Sequence, residues 1–200
     1  MKKEVGYLCK KNIIFKNIVE QYGIPQIPSR PQGFATLALL ILEQQVSIDS
    51  AKATFVRLQS LVPSFTPTKI LVLTDEAFRA AGVSRQKTSY IKGLAEAIIQ
   101  KQIDIVSLAH KPVEQVREEL IALKGIGNWT IDVYLMFCLQ APDIIPLGDI
   151  AVINTIKELL GIIDKGDIKN YTDNWAPHRS LATFLLWHYY LCKRNRSVPV

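Results

Sequence analysis

Three observations predict an all-α protein of two helical lobes. Apolar residues recur at helical spacing along most of the 200-residue chain. Hydroxyl, acidic or proline residues open several of those runs, and glycines close or separate them. Runs that could be strands are short; "KILVL" is compatible with one, but nothing obvious pairs with it. No repeat or low-complexity linker interrupts the pattern.

The elements follow in chain order. "GFATLALLILEQQVSIDSAKATFVRLQSLV" reads as two helical stretches or one long bent one. Its first part is apolar on all sides, which marks a helix buried in a protein core. "SRQKTSYIKGLAEAIIQKQ" has Ser84 as an N-cap and places Ile91, Leu94, Ala95 and Ile98 on one face. "KPVEQVREELIAL" has Pro112 near its first turn, followed by Val113, Val116, Leu120 and Leu123. "NWTIDVYLMFCLQ" follows a pair of glycines. "GDIAVINTIKELLG" carries Ile150, Ile153, Ile156, Leu159 and Leu160, with Gly161 as its stop. "APHRSLATFLLWHYYLCKR" closes the fold, with Pro177 near a first turn and basic residues at its end. The proline-rich "GIPQIPSRPQG" is the best candidate connector between lobes.

Composition narrows the function classes. A hydrophobic content of 48% supplies a large core and argues against global disorder. The formal charge of +6, with a pI of about 9.2, suggests a polyanionic partner. Cys9, Cys138 and Cys192 are scattered, which argues against a disulfide framework or a structural zinc. His110, His178 and His188 show no ligand spacing with acids or thiols. "MKKEVGYLCKKNIIFK" lacks the continuous apolar core of a signal peptide, and "FATLALLIL" is half the length that spans a bilayer. A soluble, reducing, intracellular setting is expected, cytoplasmic and nucleoid-associated if the host is bacterial.

The most informative stretch is "LKGIGNWTIDVYLMFC". Two helices are separated only by Lys124, Gly125, Ile126 and Gly127, so the chain makes a helix, a hairpin turn and a second helix. Glycine permits the positive φ of such a turn and lets another backbone approach. The N–H groups of Gly125 and Gly127, next to the positive end of the following helix, suit a phosphate. Thr130 adds a hydroxyl and Lys124 a charge. Ile126 is expected to turn inward and anchor the turn. The plain alternative is a glycine cap between packed helices. "PLGDIAV" follows, with Asp149 standing 22 positions after Gly127. Asp after Gly is also what a helix start favours.

"LKGIGNWTIDVYL" followed by "PLGDIAV" resembles the helix–hairpin–helix DNA glycosylase superfamily. The resemblance is closest to the inducible, type II 3-methyladenine (alkylbase) DNA glycosylases. It extends to "ILEQQVSIDSAKA", "GVSRQKTSYIKGLAEAI" and "WAPHRSLATFLLWHYY", and so covers roughly residues 34 to 190. Larger bacterial members carry an N-terminal β domain, for which this chain has no room.

The resemblance implies roles for single residues. Asp149 falls on the catalytic aspartate; a helix N-terminus favours its negative charge, which would stabilise the oxocarbenium-like sugar. Trp129 stands where members that also cut the backbone have a lysine, which implies a monofunctional enzyme using water. Trp129 also lies beside the family's base pocket, and Trp187 with His188 matches an aromatic pair facing the flipped base. Val133 replaces a residue that can be aromatic there. Gln45, or its neighbour Gln44, matches the wedge that fills the gap left by the flipped base. The bland account of "EQQ" is a solvent-exposed helix end. Lys124, Gly125, Gly127 and Thr130 match the phosphate-binding hairpin. Family hairpins often hold sodium or potassium through backbone carbonyls, here those of Ile121, Leu123 and Ile126. No cofactor is required, and the single cysteine near the C-terminus, Cys192, cannot hold an iron–sulfur cluster.

Together these imply a glycosylase releasing 3-methyladenine or 7-methylguanine from duplex DNA, acting as a monomer without a membrane. One lobe is expected to span 34–147 and the other to join 1–33 with 148–200, with Asp149 at the cleft. A glycosylase for a neutral oxidised or deaminated base, and a non-catalytic DNA-binding module, remain the alternatives.

Overall fold

A computed structural model describes residues 1–196, and they form helices joined by turns, with no strand among them. The helices are α1 (Lys2–Lys11), α2 (Ile13–Tyr22), α3 (Phe34–Glu43), α4 (Ile48–Gln59), α5 (Pro67–Leu71) and α6 (Asp75–Ala80). They continue with α7 (Arg85–Ile99), α8 (Val113–Ile121), α9 (Asn128–Phe137), α10 (Ile150–Leu160), α11 (Lys165–Thr172) and α12 (Arg179–Cys192). None is long and apolar enough to cross a membrane.

Contacts divide the chain into two compact units: Met1–Ser29 with the stretch from Leu135 on, and Arg30–Tyr134. The expected division left residues 135–147 with the central lobe. Here the loop after α9 is bound to α12 instead. The Ser180 hydroxyl donates to Ala141 O at 2.6 Å and accepts from Ile144 N at 2.9 Å. Arg179 makes a fork onto Asp143, with both guanidinium contacts at 2.8 Å. Residues 197–200 of the expected first lobe lie outside the described residues.

The first unit is built around α12. Its Leu181, Ala182, Leu185 and Leu186 pack with Val5, Leu8, Phe15 and Ile18 of the N-terminal helices and with Val152 and Ile156 of α10. Trp175 sits at the centre, 1% exposed, its ring edge-on to Phe15 at 5.0 Å. Asn12 separates α1 from α2 because its carboxamide oxygen accepts Ile14 N at 3.0 Å, an N-cap that starts a new helix.

The second unit is organised by α3, which packs on α4 and α7. Its all-round apolar pattern is explained by burial of Leu37, Ala38, Leu40, Ile41 and Leu42. The long stretch 33–62 is two helices, broken at Gln44–Ser47, and Ser47 caps α4 by accepting Ser50 N. Ser84 caps α7 and Gly161 ends α10 with φ +70°, both where the sequence places them. "KILVL" is no strand: Pro67 opens the short helix α5, which packs on α7. Thr74 and Asp164 each accept backbone N–H groups and open α6 and α11, cap signals that locate two helices the periodicity does not resolve.

The Arg179 fork holds the Asp143 carboxyl below the usual carboxylate range. A lowered folded-state pKa means the stabilisation is complete above the unfolded value and is lost as pH falls through the folded one. Asp143→Asn should therefore destabilise at neutral pH by about 1 kcal/mol, a charge-assisted bond discounted for partial exposure. Thermal melts at pH 7 and at pH 2–3 check this: the two proteins should converge at acid pH, and a constant gap would refute the assignment.

Candidate functional site

The hairpin lies in the second unit. Residues 122–127 join α8 to α9, and Arg117 on α8 is ion-paired with Asp132 on α9. Burial raises the Asp132 carboxyl above its ordinary range, against the lowering effect of Arg117. Ile126 is 4% exposed and turns inward, and its N–H donates to Leu123 O at 3.1 Å.

The two glycines serve different ends. Gly125 has φ +90°, and a Cβ there would stand 2.1 Å from Cγ of Tyr90. It is glycine because the turn is left-handed and packs too close to the Tyr90 side chain for a Cβ. A Cβ on Gly127 would meet nothing within 4 Å, and that residue is exposed. Among the described residues neither glycine N–H has a protein acceptor. Gly127 O receives Ile131 N at 3.1 Å, so α9 begins immediately after the turn and sets the positive end of its dipole beside it. Lys124 is exposed beside it.

Two expected residues behave otherwise. Thr130 is 1% exposed, and its hydroxyl oxygen accepts the Gln44 side-chain amide at 3.0 Å, so the hydroxyl is not offered outward to a phosphate. Gln44 also donates to Gly125 O at 2.8 Å. Its amide is therefore a brace between the end of α3 and the hairpin, whereas a wedge would have to be free to enter the duplex. Gln45 is exposed at the tip of the turn, with φ +58°. Glu43 is not a solvated helix end; it is 6% exposed and forms a two-bond fork with Arg30 at 2.9 and 3.0 Å.

The acid lies in the first unit. Asp149 is the N-cap of α10, and its Oδ1 accepts Val152 N at 2.9 Å and the Trp187 indole N–H at 3.2 Å. It is half-buried. Trp187 belongs to an aromatic trio whose other members, Phe137 and Phe184, were not singled out in the sequence: the three ring centroids are 5.4 to 5.8 Å apart. Phe137 ends α9, four residues past Val133, which is 5% exposed. Trp187 thus holds the acid as well as forming an aromatic wall. His188 does not share that site. Its Nε2 lies 3.0 Å from Tyr22 O, and its ring is edge-on to Tyr22, because consecutive helix residues point about 100° apart. His188 is therefore engaged with Tyr22 and does not join Trp187 at Asp149. Trp129, on the first turn of α9, is half-buried.

The carbonyls of Ile121, Leu123 and Ile126 belong to one short segment. Leu123 O already accepts one N–H, which leaves a second lone pair. Neutral carbonyls suit a weakly held monovalent ion, so the donor set fits the implied cation.

A family model described as HhH-GPD superfamily base excision DNA repair protein matches residues 38–177, from within α3 past the hairpin and Asp149. The chain belongs to the HhH-GPD superfamily. Among HhH-GPD relatives, "DNA-3-methyladenine glycosylase 1" of Schizosaccharomyces pombe is 29% identical over 177 residues, covering 85% of this chain and 78% of that protein. The crystal structure of a DNA-3-methyladenine glycosidase from Bacillus halodurans superposes with a TM-score of 0.82 at 31% identity, over 97% of this chain and 92% of that one. The S. pombe 3-methyladenine DNA glycosylase Mag1, solved in complex with abasic DNA, gives 0.83 at 28% identity, over 92% and 95%.

The two glycines should respond differently to substitution. Gly125→Ala should destabilise the protein by roughly 2–4 kcal/mol, through backbone strain and the clash with Tyr90. Gly127→Ala, in open space, should cost no more than about 1 kcal/mol. Denaturant melts of the two variants decide it, and equal effects would contradict the division of labour.

Proposed function

We propose that this HhH-GPD enzyme is a monofunctional glycosylase that releases alkylated purines, 3-methyladenine and 7-methylguanine, from duplex DNA. The observation that carries the reading is Asp149: a half-buried acid fixed by a helix N-terminus and an indole N–H, backed by aromatic rings. The names of the relatives support the choice of substrate.

In this mechanism the phosphate backbone is held by the amides of Gly125 and Gly127 with Lys124, and the damaged nucleotide is turned out of the stack. Gln45 fills the space it leaves. The cationic base stacks on aromatic faces that include Trp187 and Trp129. The C1′–N bond breaks, the electron pair leaves with the base, and the ring becomes neutral. The sugar gains positive character, which the Asp149 carboxylate stabilises. Water adds at C1′ and gives up its proton to solvent. Because an alkylated purine is already cationic, no general acid is needed. Sodium or potassium at the Ile121, Leu123 and Ile126 carbonyls would support the hairpin without entering the chemistry. The partner is double-stranded DNA with a damaged base, and the enzyme works as a monomer where that DNA is kept, in the cytoplasm if the host is bacterial.

Three outcomes test the reading. Asp149→Asn keeps the capping oxygen and should stay folded, while single-turnover release of 7-methylguanine falls about 100- to 1,000-fold, equivalent to about 3–4 kcal/mol. Trp187→Phe keeps a ring but loses the N–H, and should cost about tenfold, the worth of one hydrogen bond to a charged group. Near-normal release by Asp149→Asn would reduce that residue to a helix cap. Borohydride added during turnover should trap no protein–DNA adduct, since Trp129 has no amine; a covalent band on a denaturing gel would remove the monofunctional assignment.

A further inference from the structure

The turn that carries Gln45 is held by a lysine that forms no ion pair among the described residues. Lys87, on the first turn of α7, extends its ammonium to Leu42 O at 2.8 Å and to Gln44 O at 2.8 Å. Burial lowers its pKa, with no neighbouring charge contributing. A half-buried ammonium facing two neutral carbonyls is a costly way to fill space, since methionine would cover the same stem without partly desolvating a charge. The placement of those carbonyls gives the charge a purpose. Gln44 O belongs to the peptide that joins Gln44 to Gln45, so fixing it fixes the plane from which the φ of Gln45 is measured. That φ is +58°, a left-handed value that glutamine adopts only under constraint. The same peptide is anchored from its other side by the Gln44 side chain, which bonds to Gly125 O and the Thr130 hydroxyl. Lys87 also meets the carbonyl end of α3, where a cation is favoured.

We propose that Lys87 is a positioning residue for base extrusion: its ammonium locks the Gln44–Gln45 peptide, so that the Gln45 side chain is already aimed when DNA arrives. This rests on reading Gln45 as the wedge. Without the lock, the turn relaxes toward a right-handed or extended φ and the amide swings away from the gap it has to fill. The lysine touches neither base nor sugar, so its effect is confined to substrates that need the wedge.

The test uses single-turnover base release from two duplexes, 7-methylguanine opposite cytosine and 7-methylguanine opposite a tetrahydrofuran abasic analogue. The second leaves no orphaned partner for an amide to meet. Lys87→Met should slow release from the paired duplex about tenfold, the scale of a misplaced group outside the reacting centre, and leave the unpaired one within about twofold. Lys87→Arg, which can still reach two carbonyls, should recover most of the loss. Gln45→Ala should show the same pattern, and Lys87→Met added to it should cost nothing more, the non-additivity expected if one acts through the other. Equal losses on both duplexes, or additive losses in the double variant, overturn the proposal. If Gln45→Ala slows the paired duplex and Lys87→Met does not, the role of Lys87 falls alone. If Gln45→Ala has no effect, the wedge reading falls and takes this one with it. Thermal melts accompany each variant, and Lys87→Gln replaces Lys87→Met should the latter fail to fold.

Discussion

The contact between the Gly125 backbone and the Tyr90 ring sets the geometry on which much of the second unit depends. A side chain on Gly125 would occupy the ring itself. The close seat brings the turn onto α7, the helix that also supplies Lys87. Gly125 O then lies within reach of the Gln44 amide. Tyr90 is in turn steadied by Gln86, whose amide donates to its hydroxyl at 2.6 Å. One absent methyl group thus lets three separate segments, the end of α3, the start of α7 and the hairpin, share a single hydrogen-bonded knot.

Charge is used conservatively around that knot. Arg30 is engaged with Glu43, Arg117 with Asp132, and Lys111 with Glu119. Arg179 is shared by Asp143 and Asp173 in the other unit. These pairs fix helices to loops or to one another and contribute little to the long-range field, because each neutralises itself locally. The surplus behind the net charge of +6 is left to residues such as Lys124, exposed at the turn. A polyanion would meet uncompensated charge where the backbone amides also point.

Features set by local chemistry were legible in the sequence. Ser84, Asp149 and Gly161 cap or stop helices through contacts within a few residues, and the hairpin announces itself by two glycines between two apolar periods. The inward turn of Ile126 follows from its lying between them. What stayed hidden depends on side chains meeting across the chain. Gln44 and Thr130 are 86 positions apart, and neither betrays in sequence that one will bond the other. Glu43 looks like a polar helix end until Arg30 reaches it from the proline-rich segment. Trp187 and His188 are adjacent in a string, yet a helix sends them to different neighbours, one to Asp149 and one to Tyr22. Phe137 gave no signal at all, because a phenylalanine at the end of an apolar helix is ordinary.

Asp149 accepts its capping bond through the same kind of oxygen that asparagine would offer. Folding therefore exerts almost no pressure to keep the acid. Selection for a stable, abundant protein would tolerate asparagine there, and under the proposed mechanism only selection for chemistry distinguishes the two. A lineage relieved of that second demand could lose turnover in one step while keeping every helix and the hairpin intact. Within such a fold, inactive descendants would look structurally sound, and the identity of one capping residue would be the record of whether the chemistry was still in use.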